Sequence, residues 1–63
     1  MTDRLLSTAD AARYLGVSES FLERDRIDGG RIPFVRLGKR IVRYRIAELD
    51  AYVSSRIRQS TGA

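Results

Sequence analysis

Two capped helices parted by three residues, a glycine-centred hairpin loaded with arginine, and a closing amphipathic helix predict a mainly α-helical fold with one small β-hairpin. At 63 residues the chain makes a single domain. A chain of this size buries only about 60% of its unfolded surface, so the core is thin. The domain is expected over residues 1–57, with residues 58–63 as a flexible basic tail.

Ser7 reads as a helix N-cap, with Asp10 three residues on as a shortened capping-box partner. A short alanine-rich helix follows over Thr8–Leu15, with Ala12 and Leu15 on one face. Gly16 supplies a left-handed exit, Val17 turns the chain inward, and Ser18 caps a second helix over Glu19–Ile27. Asp28-Gly29-Gly30 ends that helix, and Ile32-Pro33 leads into an extended piece, Phe34 to Leu37. Gly38-Lys39 suits a type II′ turn, and Arg40 to Tyr44 forms the return strand. A two-residue loop pairs Val35 with Val42 and Leu37 with Arg40. That register puts Val35, Leu37, Val42 and Tyr44 on a core face and Phe34, Arg36, Ile41 and Arg43 on the outer face. The last helix, about Ile46–Arg56, carries an apolar stripe at Ile46, Leu49, Val53 and Ile57, with Tyr52 at its border. The order is that of a winged helix-turn-helix: helix, turn, helix, two-stranded wing, C-terminal helix.

Composition removes several chemistries. There is no cysteine and no histidine, which excludes disulfides, zinc fingers, thiol nucleophiles and imidazole bases. No acidic run has the spacing of a calcium loop, and no phosphate loop, nucleophile elbow or acid/base pair is present. No metal, cofactor or enzymatic activity is therefore expected. Apolar runs are too short for a membrane span, and the N-terminal residues lack a secretory signal, so a cytoplasmic place is expected.

The net charge of +4 is unevenly spread. Residues 1–30 carry four cations against six anions, a net of −2, and residues 31–63 carry eight against two, a net of +6. Residues 31–45 hold six cations and no acid. A one-sign cluster repels itself, and a polyanion such as duplex DNA relieves it.

On the second helix Leu22 should face the first helix, which turns Ser20, Glu23 and Arg24 outward towards a major groove. Arg24 can bond a guanine bidentately, Ser20 can reach a base or a phosphate, and Glu19 and Glu23 can accept from cytosine. Ser18, at the start of this helix, completes the set. On the wing, Arg36, Lys39, Arg40 and Arg43 surround a tight tip suited to a minor groove and its phosphates, with Gly38 allowing close approach. The plainer readings are a solvated helix face and an ordinary turn glycine. Phe34 and Ile41, turned outward together, would mark a protein contact, and Tyr14, Tyr44 and Tyr52 are expected at the edge of the core.

The run Leu5-Leu6-Ser7-Thr8-Ala9-Asp10-Ala11-Ala12-Arg13-Tyr14-Leu15-Gly16-Val17-Ser18 resembles the opening of excisionase-family domains. These belong to the broader mercury-resistance-regulator (MerR-like) group. Ile32-Pro33-Phe34-Val35-Arg36-Leu37-Gly38-Lys39-Arg40 is similar to the family's wing, and Tyr44 to Val53 to its closing helix. The resemblance spans about residues 5–56. Two positions depart from it: Asp25 stands where relatives often carry an aromatic, and the link from Asp28 to Arg31 is a residue longer than in many. The resemblance implies a phage or prophage excisionase that binds repeated sites cooperatively, bends attachment-site DNA and steers a tyrosine integrase towards excision. It equally admits a minimal prophage transcription regulator. No effector-binding domain is expected after the wing. A reading of another class, an antitoxin-like protein-interaction module, would show binding indifferent to salt.

Overall fold

The computed structural model describes residues 4–57, and the tail expected at 58–63 lies outside the described residues. Helix α1 spans Thr8–Leu15 and α2 spans Glu19–Ile27. Both N-caps form as the sequence predicts. The Ser7 hydroxyl accepts from the Asp10 amide at 3.1 Å, and the Ser18 hydroxyl accepts from the Phe21 amide at 3.1 Å. Each such cap is worth about 1 kcal/mol. Among the described residues the reciprocal bond of the capping box is not made; the Asp10 carboxylate accepts from Arg13 at 3.1 Å.

Gly16 has φ 74°, which a side chain would strain. Its amide reaches the Arg13 carbonyl at 3.3 Å and the Val17 amide reaches that of Ala12 at 2.9 Å. These two bonds make the Schellman ending that folds α2 back across α1. Leu22, at the centre of α2, is fully buried, as are Ala11 and Ala12 of α1.

The sheet has three strands where the sequence predicts two. Strand β1 (Leu5–Leu6) pairs antiparallel with β3 (Val42–Arg45), which pairs on its other edge with β2 (Val35–Arg36), giving the order β1-β3-β2. The hairpin register also differs by one residue: Val35 pairs with Arg43 and Arg36 with Val42. The Leu37 amide donates to the Ile41 carbonyl at 2.8 Å, closing a three-residue loop of Gly38, Lys39 and Arg40. Gly38 does not take the positive φ of a type II′ turn. Its lack of a side chain serves Ile41, whose Cδ1 lies 3.3 Å from where a Cβ would stand.

A one-residue slip turns one strand of a hairpin over relative to the other, here the strand from Phe34 to Leu37. Phe34, Arg36, Val42 and Tyr44 therefore share the helix-facing side, and Val35 and Arg43 share the other. Phe34, expected outward, packs on the core with its ring centroid 6.3 Å from that of Tyr44. Leu37, expected inward, is 57% exposed. The observed register buries an aromatic ring in place of a smaller side chain, which favours it.

Helix α3 spans Ile46–Ser55, one residue short of expectation. Its inward line is Ile46, Leu49 and Tyr52, with Leu49 fully buried; Val53 and Ile57, expected in the stripe, are 45% and 67% exposed. Tyr44, placed by sequence at the core's edge, is fully buried and joins Leu22, Ile32 and Leu49 at its centre. Tyr52 is half-buried against the core, whereas Tyr14 is half-exposed and donates to the Asp50 carboxylate at 2.6 Å, tying α1 to α3. Among the described residues no helix is long and apolar enough to cross a membrane. The whole is a winged helix-turn-helix.

Candidate nucleic-acid interface

With Leu22 at the core, Ser18, Glu19, Ser20, Glu23 and Arg24 are all exposed on α2. Ser20 and Arg24 lie farthest from Leu22, as the wheel predicts, with Glu23 beside them and Ile27, 83% exposed, on the same side. Ser18 has its hydroxyl committed to the Phe21 amide. Arg24 has no carboxylate partner among the described residues.

The wing residues are divided by the register. Lys39 and Arg40 are exposed at the tip. Arg36 leaves β2 on the helix-facing side and its guanidinium lies over the Phe34 ring, 5.7 Å from the centroid, with a long bond of 3.5 Å to the Lys39 carbonyl. Arg43 leaves β3 on the opposite side and donates to the Val42 carbonyl at 2.9 Å. The sequence placed Arg36 and Arg43 on one face; the three-residue loop puts them on two. Among the described residues none of Arg36, Lys39, Arg40 and Arg43 is paired with a carboxylate. Gly38 is half-buried under Ile41, not an open approach surface.

Two further residues set the geometry, and neither was among the candidate site residues read from the sequence. Asp25 and Arg26 follow Leu22 by three and four residues, so they flank the buried stripe of α2. Charged residues at those positions are the signal that was available. The Asp25 carboxylate accepts from the Ile32 amide at 3.0 Å and the Arg31 amide at 3.3 Å, and its carbonyl accepts from the Gly30 amide at 2.7 Å. Gly29 and Gly30, at φ 125° and 67°, allow the chain to fold back into these bonds. This is what Asp25 does in place of an aromatic: it staples the long link to the helix.

Arg26 is half-buried. Its guanidinium donates to the Tyr44 hydroxyl at 2.8 Å and the Thr8 hydroxyl at 3.2 Å, and lies 5.9 Å from the Phe34 centroid. Phe34 thus meets one arginine from α2 and one from the wing, and through it the helix and the hairpin hold a fixed relation.

Among the described residues Arg36, Lys39, Arg40 and Arg43 of the wing and Arg24 of α2 have no carboxylate partner, and such cations are suited to a polyanion. No curated protein matches the chain significantly. The family model described as a helix-turn-helix domain matches residues 5–57, and with that geometry the chain belongs to the helix-turn-helix family of small DNA-binding domains.

Proposed function

We propose that the protein is a phage or prophage excisionase that reads a short duplex site. Ser20, Glu23 and Arg24 enter a major groove, with Ser18 and Glu19 at its edge, and the wing engages the adjacent minor groove. The observation that carries the duplex reading is the wing itself, in which four cations stand without a carboxylate partner among the described residues. Arg36 and Arg43 on opposite faces, with Lys39 and Arg40 at the tip, suit a slot only about 6 Å wide with a phosphate wall on each side. The excisionase role rests on the sequence resemblance. In that role, copies on neighbouring repeats touch one another and add their bends, and the bent site directs a tyrosine integrase towards excision.

The test is a gel-shift titration on one site and on tandem sites, with circularly permuted fragments to report bending. Cooperative filling of the tandem sites with increased bending supports the role. Independent filling without distortion refutes it and leaves a minimal transcription regulator. Binding insensitive to salt refutes the duplex reading itself.

A further inference from the structure

A helix about 10–12 Å across fills a major groove about 12 Å wide, so a phosphate backbone passes along each of its flanks. The wing serves one flank: the hairpin touches α2 through Arg26, whose guanidinium reaches the Phe34 ring. On the helical wheel Asp25 and Asp28 lie on the other side of Leu22 from Arg26. That second flank carries two arginines beside the two aspartates. A groove of about 490 Å³ runs there, lined by Ser20, Arg24, Asp25, Asp28 and Arg31, with Tyr52 of α3 as its far wall.

We propose that Arg31, beside the base-reading Arg24, grips the phosphate backbone on the flank of α2 away from the wing, so that the protein holds both strands bordering the groove it reads. The inference rests on the duplex-binding reading above. Three observations support it. Arg31 sits on anchored backbone, since its own amide and that of Ile32 are bonded to the Asp25 carboxylate and the Ile32 side chain is fully buried. Its side chain is exposed and, among the described residues, has no carboxylate partner. The Asp25 carboxylate has both oxygens on those amides and, among the described residues, makes no ion pair with Arg31. Two carboxylates line the groove as well: Asp25, held on the two backbone amides, and Asp28, whose carboxylate makes no ion pair among the described residues. Asp28 weakens the grip, which gives the proposal a second handle of opposite sign.

The probe is a duplex selected by the wild-type chain from a random-sequence library. Arg31→Gln keeps the amide that Asp25 holds. It should lower affinity roughly three- to tenfold at moderate salt and reduce the slope of log affinity against log salt by about 0.9, with base preference unchanged. Asp28→Asn should raise affinity a few-fold. Hydroxyl-radical footprints should lose protection on opposite strands in Arg31→Gln and Arg40→Ala, each on its own side of the helix. The inference is overturned if Arg31→Gln leaves the salt slope unchanged, or if its lost protection falls on the wing side. Should selection recover no duplex, the duplex reading falls together with it. If the wild type binds and only the Arg31 and Asp28 variants are silent, the duplex reading survives alone.

Discussion

Arg26 offers the sharpest test of how the domain is held together. Replacing it with Met keeps an unbranched chain of similar reach and removes every polar contact. The Tyr44 hydroxyl, on a fully buried side chain, then loses its partner at 2.8 Å, and Thr8 loses one at 3.2 Å. Leaving a buried hydroxyl unsatisfied costs about 1–3 kcal/mol. Loss of the guanidinium over Phe34 adds about 0.5–1 kcal/mol. Together these give about 1.5–4 kcal/mol, against a total stability of roughly 3–9 kcal/mol for a chain of this length. With a urea dependence near 1 kcal/mol per molar, the midpoint should fall by about 1.5 M or more. Tyr44→Phe removes the orphan hydroxyl, so the double variant should be less destabilised than the sum of the single ones, by about 1 kcal/mol. A loss under about 0.5 kcal/mol for Arg26→Met, or strict additivity in the cycle, would refute the account of Arg26 as the tie between helix and wing.

Arg40→Ala should weaken binding to all duplexes about equally, whereas Arg24→Ala should blunt base discrimination by about 1–3 kcal/mol, both read in competition gel shifts. Gly30→Ala forces a side chain to φ 67° and 3.4 Å from Phe34 Cε1, costing about 1 kcal/mol; Gly38→Ala meets only the movable end of Ile41 and should cost less, so their melting temperatures should rank in that order. The Tyr14 phenol is held above its ordinary value of 10.0 by its bond to Asp50, which favours the protonated form. The stabilisation is present below pH 10 and is lost as pH rises through the raised value; tyrosinate absorbance in wild type minus Tyr14→Phe should show it, and Asp50→Asn should remove it.

What was legible in the sequence was governed by neighbours in the chain. Ser7, Gly16 and Ser18 act within five residues of themselves, and the helix-turn-helix follows from them. The outward strip of Ser20, Glu23 and Arg24 needed only Leu22 and the helical period. The hairpin register was not legible, because Gly38 begins a two-residue or a three-residue loop equally well. What decides between them is Phe34 reaching Tyr44 and the room Ile41 takes over Gly38. Strand β1 is two residues long and shows no alternation to read. Arg26 meets Thr8 and Tyr44 eighteen residues away on either side, so its purpose exists only once three elements have met.

The strand order β1-β3-β2 has a practical side. Arg43 and Arg45 sit on a ribbon gripped along both edges, one of them by a two-residue stub that runs straight into the first helix. Any weight hung on Leu5 and Leu6, such as a purification handle or a fused reporter, would tug at the root of the wing instead of trailing free. A loss of affinity in such a fusion would then report leverage on the hairpin, with every contact to the duplex still chemically intact.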